Sequence, residues 1–185
     1  MATNEIRVVI GSWGSYNACN ERALGSPWLT LNDNEDWEEI EEDLRNQGFQ
    51  LEGIDEELCI QDIENFPADG CNWDYVSPAT LFDILKRSGI LDDAGKFDLM
   101  EAYCDIEGYD SWKSLVESCD DHWDDDIYIY ENMDWYDLGH YFLHEVSCIQ
   151  IPEWLEDYID YESYGQQFQY DGFHEFDGGI IEIRR

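Results

Sequence analysis

His140 and His144 stand four residues apart with Glu145 directly behind them, a spacing that puts two imidazoles on one helical face. Metal sites use that spacing, but the His-Glu-x-x-His order of a zinc protease is absent, so the pair reads as solvent-facing or interface histidines. Asp120-x-His122-x-Asp124-x-Asp126, with Glu131 further on, has the outline of a calcium loop. Its third position is a histidine, and its sixth, which needs glycine for the sharp turn, is Asp125; an EF-hand is excluded. Gly11-Ser12-Trp13-Gly14-Ser15 lacks the Lys-Ser/Thr of a phosphate-binding loop and reads as a Gly-Ser-rich turn. Forty-five carboxylates make a chance acid pair easy to find, so no glycosidase-like pair stands out. These residues give no catalytic set, no metal site and no cofactor.

The chemistry lies in the sum of the charges. Nine Lys and Arg face forty-five Asp and Glu in 185 residues, a formal net charge of −36. Such a field repels nucleic acid and anionic membrane surfaces, which excludes both as direct partners. Disorder is excluded by the 43% hydrophobic and 15% aromatic content, enough to build a core. Nor do the acids form a tail: no purely acidic run exceeds three residues, and carboxylates alternate with apolar positions. Between Ser114 and Ile183 there are 19 carboxylates and neither Lys nor Arg. Self-repulsion of that kind costs stability, which argues for a functional charge, with adaptation to high salt as the bland alternative. Duplex DNA carries one charge per ~1.7 Å of axis, so 36 charges match about 18 base pairs.

The carboxylates expected to form this surface are Asp120, Asp121, Asp124, Asp125, Asp126, Glu131, Asp134, Asp137, Glu153, Glu156, Asp157 and Asp160. There is no apolar run of 18 residues and no secretory signal, so a cytoplasmic protein with no membrane span is expected. The six widely spaced cysteines are then reduced core thiols.

The elements that must carry these charges follow from periodicity. Strands are expected at Arg7–Ile10, Trp28–Leu31 and Leu58–Ile63, with a loop between the first two and a helix over 35–46, capped by Asp33 or Asn34. Ser77-Pro78 opens a helix that Gly89 ends; Asp92 or Asp93 opens a second, stopped near Gly108, and Ser111 caps a third. A strand at Ile127–Tyr130, a helix over 135–147, a helix from Pro152 with Leu155, Tyr158 and Ile159 inward, and a terminal hairpin complete the chain. The expected fold is α+β, an elongated chain of three small units: an α/β domain over 1–67, a helical domain over 68–121 and an α/β domain over 122–185. On the 135–147 helix, Glu145 falls within the apolar stripe of Leu138, Tyr141, Phe142 and Ile149. It either needs a partner or an interface there, or lies at the stripe's wet edge.

Leu138-Gly139-His140-Tyr141-Phe142-Leu143-His144-Glu145 resembles the antirestriction motif of the ArdA proteins, Leu-Gly-x-Tyr-x-x-x-Glu, with Ser147 where a glycine is common. Ile10 to Asn17, Gly25 to Leu31, Ile60 to Pro67 and Phe176 to Arg185 are similar to other parts of that family, so the resemblance spans the chain. It implies a non-enzymatic, elongated homodimeric DNA mimic that occupies the DNA-binding groove of type I restriction–modification enzymes and protects mobile DNA. It also implies that Leu138, Gly139, Tyr141 and Glu145 lie at or beside the dimer contact. The other reading from the charge alone is an acidic adaptor that caps the basic surface of a different DNA-binding protein.

Overall fold

The computed structural model describes residues 5–68, 71–147 and 149–184, and the backbone divides into two compact units, Met1–Trp123 and Asp124–Arg185. The fold is α+β, with eight α-helices and two three-stranded antiparallel sheets among the described residues.

In the first unit, β1 (Arg7–Ser12) is the middle strand, flanked by β2 (Leu29–Thr30) and β3 (Leu58–Glu64). Val9 pairs with Asp62 and Ile10 with Ile60, so Gln61 is an extra residue that bulges β3. The segment after β1, expected as a loop, is a helix instead: α1 (Trp13–Ala18), capped where the Ser12 hydroxyl accepts from the Ser15 amide. No apolar stripe announces it, because it is held by contacts from far along the chain. Ser12 donates to the Ile54 carbonyl, and a Cβ on Gly14 would collide with that same carbonyl.

The helix α2 (Trp37–Asn46) is capped by Asp36, later than the two expected caps, and buries Ile40 and Leu44. The helix α3 (Pro78–Ser88) begins and ends as its Pro and Gly dictate, with Gly89 left-handed at φ 78°. Asp93 caps α4 (Ala94–Glu107), and Gly108, at φ 82°, breaks it from α5 (Tyr109–Cys119), which therefore starts two residues before Ser111. Leu81, Ile84, Leu85, Met100, Trp112 and Val116 fill the core of these helices, and the Trp123 indole closes it by donating to the Ser88 carbonyl at 2.9 Å.

The second unit has β4 (Ile127–Glu131), β5 (Phe173–Phe176) and β6 (Gly179–Ile183) in the order β4-β6-β5. The helix α6 (Trp135–Tyr141) covers this sheet through Trp135 and Leu138, which pack with Phe173 and Ile180. Expected to run to 147, the helix widens instead into a π-helical turn at Phe142–Val146, where the Ser147 amide reaches back to the Phe142 carbonyl. The helix from Pro152 is only α7 (Glu153–Glu156), with Leu155 and Tyr158 exposed rather than inward. A further helix, α8 (Tyr161–Gln166), crosses α6.

The described cysteines are free thiols, but Cys19 and Cys119 are exposed, so they are not core residues; Cys148 lies outside the described residues. Among the described residues no helix is long and apolar enough to cross a membrane.

One buried carboxylate organises the first unit. Asp55 is fully buried; it accepts from the Ser15 hydroxyl, from the Gln50 amide at 3.2 Å and from Arg22 Nε at 3.1 Å. Burial pushes its carboxyl up, but the bonds from Ser15 and Gln50 and the Arg22 charge outweigh it and hold it below the ordinary 3.8. A folded value below the unfolded one contributes stability that is present above pH 3.8 and lost as pH falls through the lower folded value. Asp55→Asn is expected to cost about 2–4 kcal/mol at pH 7, with the deficit shrinking as pH falls through that window. Urea unfolding at pH 7 and pH 3 checks both parts.

Candidate functional site

Of the carboxylates among the described residues, only Asp55 and Glu182 are buried, and each has an arginine. Glu182 accepts from Arg184 Nε at 2.6 Å and from the Tyr130 hydroxyl at 2.9 Å, while the Arg184 guanidinium lies 4.2 Å from the Tyr128 ring centroid. Burial, and then that bond to Glu182, pushes the Tyr130 phenol up. The cation-free stretch thus pairs its buried Glu182 with Arg184, immediately beyond it.

The other described cations are also tied down. Arg7 pairs with Glu64, Arg45 with Glu41 at 2.7 Å, Arg87 with Asp120 at 2.5 Å and Lys113 with Glu117 at 3.7 Å. Lys86 lies 3.7 Å from both Glu35 and Asp92, and Lys96 donates to the Asp121 carbonyl at 2.5 Å. The cations clip the fold together and leave the acids outside.

Asp120 and Asp121 stand exposed on the first unit. The other ten expected surface acids belong to the second, where Asp125, Asp126, Glu131, Asp134, Asp137, Glu153, Asp157 and Asp160 are exposed and Asp124 and Glu156 are half-buried. Several also have structural posts. Asp134 caps α6 by accepting from the Asp137 amide at 2.9 Å. Asp160 caps α8, and the Ser163 amide, then its hydroxyl, holds the Asp160 carboxyl below its usual range.

The motif residues divide into two groups. Leu138 and Gly139 are enclosed within the second unit, whereas Tyr141 is half-buried and Glu145 exposed. The π-helical turn carries Glu145 outward beside Val146 and Ile149, which are 50% and 54% exposed, so within one chain it lies on the wet side of the stripe.

Gly139 shows why the motif needs a glycine. A Cβ there would collide with the Tyr161 carbonyl, and one on Gly165 would collide with the Trp135 carbonyl. The backbones of α6 and α8 therefore touch through two glycines, of which only the first was singled out in the sequence. Around this crossing, Tyr161 donates to Glu156 at 2.6 Å and lies 2.7 Å from His144 Nε2. That donation leaves the phenol oxygen to accept, which sets the imidazole proton on Nε2. Burial, and then the bond to Glu156, pushes the Tyr161 phenol up to about 12. His140 is exposed and stacks on His144 at 4.3 Å. Among the described residues no group of three or more His, Cys, Asp or Glu is placed to hold a metal ion.

The family model of the ArdA proteins, described as antirestriction protein, matches residues 8–182. The chain belongs to the ArdA antirestriction family. Comparison with curated proteins finds none that matches. Family membership gives the chain an antirestriction role, and the matched span includes the α6–α8 crossing.

Gly139→Ala is expected to force α6 and α8 apart and to destabilise the second unit by about 1–3 kcal/mol, as overpacking does. Near-ultraviolet circular dichroism through a urea titration reads that loss; an unchanged midpoint would show that the crossing yields without cost.

Proposed function

We propose that this protein is a non-enzymatic mimic of duplex DNA that occupies the DNA-binding groove of type I restriction–modification enzymes. It works as a homodimer in the cytoplasm of a cell receiving a mobile element, with domains over 1–67, 68–121 and 122–185. The observation that carries this reading is the placement of charge. A net charge of −36 rests on a fold whose described cations are engaged internally and whose described carboxylates are all at least partly accessible except Asp55 and Glu182. A basic groove meeting that surface finds anions where it would find phosphates, at the equivalent of about 18 base pairs per chain. No chemical step is required: the protein prevails by occupying the site.

The test is direct binding to a type I methyltransferase, alone and in competition with duplex DNA. Complex formation should be stoichiometric and exclude DNA. Counterions released from both surfaces should weaken it about tenfold or more between about 50 and about 200 mM salt, with the sign seen for DNA. An affinity that stays flat with salt would sink the mimicry.

The homodimer would form through the second unit beside the motif. Two bodies of like charge repel, so its attraction must come from apolar groups, and Tyr141, Val146 and Ile149 supply accessible ones next to Glu145. Sedimentation of Tyr141→Ala and Glu145→Ala should show a shift toward monomer at concentrations where the wild type is dimeric. If both stay dimeric, the contact lies elsewhere.

A further inference from the structure

The first unit holds a cavity of about 560 Å³ whose walls combine aromatic and acidic residues. Its lining residues include the aromatic Trp13, Trp37 and Tyr75 and the acidic Glu41, Glu56 and Glu57. Its size is that of a small-ligand pocket. Trp13 is fixed as the first residue of α1, with its amide donating to the Glu57 carbonyl at 3.0 Å. Trp37 is fixed by its indole, which donates to Glu41 at 3.0 Å, and by its contact with Phe82. Tyr75 is 87% exposed, and Glu56 and Glu57 are exposed. No cation is among the residues that line the cavity.

From this we infer that the cavity is a receptor for a guanidinium group, that of an arginine side chain projecting from the partner's basic surface. An aromatic face attracts a cation through its quadrupole, and guanidinium, planar and weakly hydrated, can stack on indole while giving its N–H groups to carboxylates. Lysine ammonium is compact and strongly hydrated and gains less from a flat aromatic wall. Glu41 already accepts from Arg45 at 2.7 Å as well as from the Trp37 indole, so the carboxylates for an incoming guanidinium are those of the exposed Glu56 and Glu57. The adjoining cavity over α5 shares Tyr75 but has Lys113 in its wall, which would repel a cation. A diffuse acidic field steers any cation; this cavity would select one kind and fix the register of the partner against the first unit. The inference rests on the proposed basic partner for its biological occupant, but the chemistry of the cavity can be tested without that partner.

The experiment is titration of the full-length protein with ethylguanidinium chloride at constant ionic strength, following the indole N–H signals by nuclear magnetic resonance. The signals of Trp13 and Trp37 should move saturably, ahead of the other six tryptophans, and ethylammonium should move them less. Tyr75→Ala and the double variant Glu56→Gln/Glu57→Gln alter exposed side chains and should each weaken the response about threefold to tenfold, the size of one such contact. Equal response to ethylammonium, an even, non-saturating drift of all indoles, or unchanged binding by both variants overturns the inference. The two readings fail separately: enzyme inhibition without guanidinium binding removes the receptor alone, and guanidinium binding without inhibition removes the mimic.

Discussion

Nine cations cannot neutralise forty-five carboxylates, and the rest of the structure depends on how that shortage is met. The two carboxylates removed from water among the described residues, Asp55 and Glu182, each receive an arginine and additional hydrogen bonds, which is what a buried charge requires. Other acids are held without any cation. Asp36, Asp93, Asp134 and Asp160 cap α2, α4, α6 and α8, where backbone amides and the positive end of the helix take the place of a counter-ion. A protein that uses its acids as caps can be strongly acidic and still satisfy its backbone. The remaining repulsion is borne at the surface, where water and salt screen it.

The elements that could be read in advance are those whose signal is local. Ser77-Pro78 and Gly89 bound α3 as expected, Asp93 and Gly108 bound α4, and the apolar runs of β1 and β4 and the alternation of β3 match strands. The unread elements, α1 and α8, are six-residue helices that each contain a glycine and bear no long stripe. Their glycines are there for tertiary reasons. Gly14 lies under the Ile54 carbonyl and Gly165 under that of Trp135, so distant backbone dictates a residue that local propensity counts against a helix. The end of α6 differs from expectation for a related reason: helical periodicity cannot reveal that the Ser147 amide bonds one residue further back and opens a π-helical turn.

The charged surface was legible because it needs only counting, and the motif was legible as a string. What the string does was not. Spacing drew attention to Glu145 as an acid within an apolar stripe, yet the residues that the fold depends on there are Leu138 and Gly139, one filling the core and the other admitting α8. Tyr161, Glu156 and Gly165, which complete that crossing, come from segments with no motif of their own. A string that combines enclosed and exposed positions therefore carries two constraints at once, one on packing and one on whatever meets the exposed face.

This division bears on how a spread-out acidic surface should be dissected. Neutralising Asp134 or Asp160 removes a helix cap as well as a charge, and neutralising Asp120 releases Arg87. Any loss of function at those positions mixes folding with recognition. Asp126, Glu131, Asp137, Glu153 and Asp157 have neither an arginine nor a capping role among the described residues. Exposed carboxylates of that kind contribute ~1 kcal/mol or less each to a screened contact, so their individual removal says little and their joint removal reports on the field itself. A graded response over that set, with the caps and arginine clips intact, is the behaviour that distinguishes a charge lattice from a discrete site.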